Sequence, residues 1–267
     1  MAESSATRSD SVAQVATLDS ATSLDTVFAP VRSLTAFEET VDRLGTAIRL
    51  GLLPPGTRLP AERELCARLG IARSTLRQAL VALGQSGHLH AMRGRGGGTF
   101  VAQELPPSAP PSPDLLRNWR ETCDRRMAVE VGVAVLAAER AGPESVAALE
   151  DVLEQLDAML EDFTVYRQAD VRLHVGLAEA TGSPGLVTSM TEVQGAMTGL
   201  IELIAHPPEV LASANAQHWR LLEAVRRRDE VAAAAEMVEH VRATEHILAG
   251  LMPPRTLTSG SSPGRIA

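Results

Sequence analysis

The sequence has no lysine, few aromatic residues and little cysteine. All 25 of its basic residues are arginine, a bias we read as genome composition rather than chemistry. Phe, Trp and Tyr make up 3% of the chain. Ala, Leu and Val abound instead, a balance that favours helix over sheet. No apolar run reaches the roughly 18 residues that a membrane-spanning helix needs. The first thirty residues are rich in Ser, Thr, Ala and Asp without an apolar signal core, so no secretion signal is expected. Cys66 and Cys123 lie far apart in sequence. Without a secretory context, two free thiols in a reducing cytoplasm are expected.

What is present is distributed unevenly. The 267 residues leave room for two domains of ordinary size. The net charge of −8 would argue against a nucleic-acid partner if it were uniform. Residues 34–101, however, hold nine Arg against five acids, while residues 102–252 hold twelve Arg against twenty-four. A basic module joined to a larger acidic one implies that only the first faces phosphates.

Residues 1–33 are polar and without helical or strand period, and read as a disordered tail. Ser33 is placed to cap a first helix with Phe37, Val41, Leu44 and Ile48 on its apolar face. Gly51 ends it, and Leu53-Pro54-Pro55-Gly56 turns the chain. Two short helical patterns follow, Ala61–Leu69 and Ser74–Leu83, separated by Gly70-Ile71-Ala72-Arg73. Leu65, Leu69, Ile71, Leu76, Leu80 and Leu83 form a shared core, and Arg63, Arg68, Arg73 and Arg77 occupy the opposite surface. Two short helices joined by a Gly-containing turn match a helix-turn-helix, whose second helix lies in the DNA major groove. An ordinary αα-hairpin with solvated arginines fits that stretch equally well. The next segment separates the two: His88–Met92, a turn of Arg93-Gly94-Arg95-Gly96-Gly97-Gly98, then Thr99-Phe100-Val101 make a β-hairpin wing. Its glycines let the loop approach a phosphate backbone or a minor groove closely.

Residues 102–114 form a Pro-rich linker and a natural domain boundary. Beyond it, residues 115–252 read as helices with short connections, an antiparallel all-α bundle. The expected spans are Leu115–Ala141, Pro143 to about Leu160, Thr164–Ala180 with Thr164 as cap, Pro184 to about Ala205, Glu209–Arg227, and Asp229–Gly250 with Asp229 as cap. Residues 253–267 are a polar, flexible tail. The expected fold is thus mainly α, a winged helix-turn-helix followed by a helical bundle.

Within the bundle, Asp170 and His174 are four residues apart and share one helix face. His218 and His240 sit near the middle of the fifth and sixth helices. Three imidazoles and a carboxylate converging in a bundle core can bind a divalent metal, Zn²⁺, Ni²⁺, Fe²⁺ or Mn²⁺. Asp-x-x-x-His alone also fits a solvated face or a hydrogen-bonded core, the reading given to His88, His90, His206 and His246.

Residues 34–101 resemble the winged helix-turn-helix of the GntR superfamily of bacterial transcription regulators. The resemblance rests on Gly51, Leu53-x-Pro-Gly56, Leu59-Pro60-Ala61-Glu62-Arg63-Glu64-Leu65, Ala72-Arg73-Ser74-Thr75-Leu76-Arg77-Gln78-Ala79-Leu80, Gly87 and the Gly96–Val101 wing. Residues 115–251 resemble the ligand-binding domain of its FadR-like branch, the FCD fold, in the spacing of Asp170, His174, His218 and His240 and in Arg126-x-x-x-Glu130. The resemblance implies DNA contacts from Arg63, Arg73, Ser74, Thr75, Arg77, Arg93 and Gly94, and a metal held by the quartet. It also implies a small carboxylate effector near that metal, a homodimer and a palindromic operator. Arg73 or Arg77 suits guanine O6 and N7, and Arg63 a phosphate. Two readings fit Arg126: a bidentate partner for the effector, or an i, i+4 salt bridge with Glu130. Three departures stand out: Ala72 where the family has Ser or Thr, Cys66 where it has Ala, and Ser183 where it has Asn.

These features point to a cytoplasmic DNA-binding regulator, expected to act as a repressor, and not to an enzyme. The alternatives are a regulator for which the metal itself is the signal and a metal-dependent hydrolase with a DNA-binding appendage.

Overall fold

Apolar residues at helical spacing organise most of the described residues. The computed structural model describes residues 35–107 and 111–252. The expected Ser33 cap and the tails 1–33 and 253–267 lie outside them.

The N-terminal module begins with α1 (Ala36–Arg49), which buries Leu44 and Ile48. Helix α2 (Glu62–Leu69) ends at Gly70, whose φ of 67° closes the turn in the left-handed region that glycine adopts without strain. Helix α3 (Arg73–Gln85) follows, burying Leu76, Ala79 and Leu83. Strands β1 (Leu89–Met92) and β2 (Gly98–Val101) pair antiparallel, with Leu89 opposite Val101 and Met92 opposite Gly98. Leu59, Leu65, Leu89 and Val101 join the helical leucines in one core, so wing and helix-turn-helix are a single packed unit.

One expected span divides. Instead of a continuous helix from Leu115, α4 (Pro113–Arg117) and α5 (Trp119–Arg140) are separated at Asn118. Ser112 caps α4 by accepting from the Leu115 amide. Helix α6 (Pro143–Asp157) starts on a first-turn proline, as does α8 (Pro184–Ile201). Helix α7 (Phe163–Ala180) is capped by Asp162, not Thr164: the Asp162 carboxylate accepts from the Val165 amide, which makes Thr164 part of the first turn. Helices α9 (Pro208–Arg226) and α10 (Glu230–Leu251) complete the bundle, and Asp229 caps α10 as expected. Helix α5 is central, packed against α7, α8, α9 and α10, while α6 covers α7 and α9.

The winged module is not tethered loosely. Leu50, just past α1, is buried in the bundle core, and Leu52 packs beside it. Burying a leucine stabilises by about 1.5–3 kcal/mol, so this plug anchors the module to the bundle. Two glycines permit the close approach. A Cβ on Gly51 would fall 2.9 Å from Gln168 of α7, and one on Gly195 of α8 would fall 2.8 Å from the Thr46 methyl of α1.

Candidate metal centre and nucleic-acid interface

Each bundle helix carries its polar site residues on the stripe that makes the core. In α9, Leu211, Asn215, His218, Leu222 and Val225 are buried at three- and four-residue spacing; in α10, Ala233, Met237, His240 and Val241 are. Helix α5 buries Trp119, Cys123, Arg126, Glu130, Val133 and Ala137 along one line. Helix α7 is buried on nearly all sides, including Arg167, Asp170 and His174. Folding therefore drives ionisable groups from four helices into one interior region.

The four expected ligands meet there. One ring nitrogen from each of His174, His218 and His240 lies within a 4.8 Å cluster. His218 Nε2 is 3.3 Å from His240 Nε2. Asp170 Oδ1 is 3.6 Å from His218 Nε2 and 3.8 Å from His174 Nε2. Metal–nitrogen bonds of about 2.0–2.1 Å in a tetrahedral set imply donor separations of about 3.3–3.4 Å; the His218–His240 pair matches this, and the other donors stand further apart. The surroundings also fit. Both ring nitrogens of buried His174 lack a hydrogen bond, although Nδ1 stands 3.1 Å from Glu130 Oε2. Gln217 Oε1 lies 3.2 Å from His240 Nδ1, which leaves Nε2 of that ring as the acceptor. Outer partners of this kind fix imidazole orientation around a metal.

Electrostatics prepare His218, His240 and Asp170 for the same role. Burial pushes the His218 pKa down to about 4, against a smaller upward pull from Asp170. Burial, His218 and Arg126 hold His240 well below the usual value. Burial works to raise the Asp170 carboxyl, but His174, Arg167 and His218 outweigh it and hold it below the usual carboxylate range. Neutral imidazoles and an ionised carboxylate are the forms a metal requires.

Of the two readings of Arg126, the structure shows the i, i+4 ion pair with Glu130. Arg126 Nε donates to Glu130 Oε1 at 2.9 Å, completing the salt bridge, while NH2 lies 3.2 Å from His240 Nε2 and the side chain lines a cavity. Two neighbours carry no motif and stand outside the set expected from sequence. Arg167 donates to Asp170 Oδ2 at 2.5 Å and to Gln194 Oε1 at 2.9 Å, and Gln194 Nε2 donates to Glu130 Oε1 at 2.8 Å. Their signal was an Arg and a Gln standing on apolar stripes. The cavity beside the quartet, about 80 Å³, is lined by Arg126, Arg167 and Asp170 with an apolar wall that includes Ile201 and Leu211. His206, stacked on Phe163 at 3.7 Å, also lines it. The Cys123 thiol, buried on α5, is pushed up to about 11 by burial and then by Glu245, and neither cysteine is paired.

In the N-terminal module Arg63, Arg73, Ser74 and Arg77 are exposed along α2 and α3, and Thr75 is half-buried. The N-cap of α3 is Ala72, which has no side-chain oxygen, and Ser74 and Thr75 lie within the first turn. Arg93 and Gly94 sit in the exposed turn between β1 and β2. Glu62, at the start of α2, pairs with Arg77 at 2.9 Å and stands 4.0 Å from Arg73. Arg58, not among the expected contacts, donates to Gly97 O at 2.6 Å and holds the wing turn.

Comparison with known proteins follows this division. The model of "Bacterial regulatory proteins, gntR family" matches residues 37–101, and that of the FCD domain matches residues 121–243. RmpR of Mycobacterium gastri, an HTH-type transcriptional regulator by its assigned name, is 32% identical over 216 residues, 76% of each chain. This chain belongs to the GntR family. LutR of Bacillus subtilis, an HTH-type transcriptional regulator, is 28% identical over 214 residues, 76% of this chain and 96% of LutR. Among solved structures, McbR/YncC of E. coli superposes with a TM-score of 0.52 at 20% identity, covering 82% of this chain and 99% of the other. That likeness shows the shared fold. Like its family, this GntR-type protein is a DNA-binding transcriptional regulator. Among the described residues, no helix is long and apolar enough to cross a membrane.

Proposed function

We propose that this regulator is a cytoplasmic homodimeric repressor whose hold on a palindromic operator is controlled by a small carboxylate bound beside a divalent metal. The observation that carries the reading is the convergence of Asp170, His174, His218 and His240 beside a cavity lined by two buried arginines. Those four residues hold the metal, which supplies a concentrated positive charge for a carboxylate oxygen to meet. Arg126 grips the same anion with its guanidinium fork. A carboxylate also agrees with the names of relatives. One in Escherichia coli, 30% identical over 223 residues, is named for an L-lactate dehydrogenase operon, and another for a galactonate operon; lactate and galactonate are carboxylates.

In the DNA-facing module, Arg73 and Arg77 read base edges, Arg63, Ser74 and Thr75 meet phosphate, and Arg93 and Gly94 carry the wing tip to the backbone. Two copies related by a two-fold axis read two half-sites. The effector acts through short connections. Gln194 binds Arg167 in the site, and its neighbour Gly195 is the surface against which Thr46 of α1 packs. Arg167 is likewise adjacent to Gln168, which meets Gly51. A shift of α7 or α8 around a ligand therefore reaches the base of the winged module within one residue, which changes the spacing of the two modules.

A catalytic role is disfavoured because Asp170 and Glu130 are each engaged by a guanidinium, which leaves neither poised as a base. A metal-only signal has one observation in its favour: Arg126 NH2 lies 3.2 Å from His240 Nε2, so a metal held at that nitrogen would displace the contact by itself. Fluorescence anisotropy on DNA upstream of the protein's own gene tests the proposal. Specific binding should weaken about ten- to a hundredfold in Arg73→Ala or Arg77→Ala, the worth of a bidentate base contact. A small organic acid should release the DNA only from metal-loaded protein. Release by chelation or metal alone, indifferent to acids, would transfer the assignment to the metal-sensing reading, and no specific binding at moderate salt would end both.

A further inference from the structure

The cavity beside the quartet holds more positive charge than one carboxylate can answer. Arg126 and Arg167 both line it, and both are almost fully buried. Their buried counter-charges are Glu130 and Asp170, one for each guanidinium. A divalent ion on the neutral histidines then leaves an excess of two positive charges in a water-poor interior, where unpaired charge is strongly disfavoured.

The guanidiniums also have unused donors. Arg126 NH1 and Arg167 Nε are buried without any hydrogen-bond partner. Arg126 NH2 meets only His240 Nε2, whose lone pair a metal takes, so in the loaded protein both terminal nitrogens of Arg126 need an acceptor. Such a pair suits one carboxylate, and the remaining Arg167 N–H needs a second. Ile201 and Leu211 line the same cavity and supply an apolar wall for methylene groups, and its volume of about 80 Å³ keeps that chain short.

We propose that the effector is a short dicarboxylate and that Arg167 is the residue that distinguishes it from a monocarboxylate. The proposal rests on the carboxylate-effector reading above. Arg126 and the metal take one carboxylate, and Arg167 takes the other while its NH1 stays on Asp170.

Titration calorimetry on the Zn²⁺-loaded full-length protein tests this with chain-matched acids: malonate against propionate, succinate against butyrate, with inorganic phosphate as a dianion lacking carboxylates. The better diacid should bind at least about tenfold more tightly than its matched monoacid, as expected for one more charged hydrogen bond. With Zn²⁺ bound, Arg167→Gln should lower diacid affinity far more than monoacid affinity and so erase that preference, and Arg167→Lys should keep part of it. Equal or tighter monoacid binding by the parent overturns the proposal and leaves the carboxylate reading standing. So does tighter binding of phosphate than of either diacid. An Arg167→Gln variant that loses both acids equally, or loses Zn²⁺, also overturns it, because Arg167 then serves only to position Asp170. If no acid binds the parent at all, the carboxylate reading falls and takes this one with it. Should Arg167→Gln fail to fold, the parent's diacid-to-monoacid ratio still decides.

Discussion

The two halves of the chain use arginine in opposite ways. In the winged module Arg73 and Arg77 are 66% and 63% exposed at the side chain and share one partner, Glu62. In the bundle Arg126 and Arg167 are 2% and 8% exposed, each matched to its own carboxylate and tied into a network through Gln194. Exposed ion pairs contribute about 0–1 kcal/mol and exchange readily, so Arg73 and Arg77 can leave Glu62 for a phosphate or a base at little cost. Breaking a buried pair by removing one partner costs about 3–5 kcal/mol because the other charge stays behind. The bundle's charges therefore rearrange only when something of matching charge enters. One set of arginines is exposed and loosely held, the other buried and fixed in a network, and the roles proposed above rest on that difference.

The strongest attack on that contrast is Arg126→Met. It leaves Glu130 fully buried without its cation, and we expect a loss of about 3–5 kcal/mol in urea denaturation of the metal-free protein. Changing both partners, Arg126→Met with Glu130→Leu, should cost less than the single change, since no charge is then stranded. A single variant within about 1 kcal/mol of the parent would mean that the buried network is hydrated and no different in kind from the surface pairs.

An intermediate effect is expected where the two halves touch. Gly195→Ala brings a methyl to 2.8 Å from Thr46 Cγ2, an overpacking that costs about 1–3 kcal/mol. Thr46→Ser removes that Cγ2 atom and should restore most of the stability in the double variant. Thermal unfolding of the three variants checks this. Additive losses in place of rescue would show that α1 and α8 are not in contact and that the coupling route drawn through Gly195 is wrong.

The winged module was largely legible in the sequence because its signals are local: a Gly-ended α2, the Gly-rich turn and leucines at helical spacing. His174, His218 and His240 were legible through the family spacing, and the structure brings them together with Asp170. Arg167 and Gln194 were not, because their meaning depends on how α5, α7 and α8 face one another, and a single helix pattern does not carry that. A polar residue on an apolar stripe was the visible sign: Arg167 falls one turn before Val171 and Asp170, and Gln194 between Met190 and Met197. The docking plug at Leu50 was hidden for a related reason. It follows Arg49 in what reads as the end of a helix, and only the tertiary fold shows that it belongs to the bundle core. The break at Asn118 was missed because apolar spacing runs through it undisturbed.

The smallest expected effect is the sharpest test of how the exposed arginines are poised. Glu62 occupies the first turn of α2, where a negative charge is favoured by the helix dipole, and it holds Arg77 and faces Arg73 across the turn. In the DNA contact proposed above, Glu62 has to give up whichever arginine reads the groove. Glu62→Gln removes the competing charge, so operator affinity should rise about two- to fivefold, the worth of an exposed pair. The gain should shrink as salt is raised, since both the lost repulsion and the phosphate contacts are screened. Thermal stability should hardly change. In the Arg77→Ala background the same substitution should yield a smaller gain, because the main partner it frees is gone. An unchanged affinity in the parent background, or a gain that persists in full without Arg77, would show that Glu62 does not hold the reading arginines in reserve and that the contrast with the buried pairs is one of exposure alone.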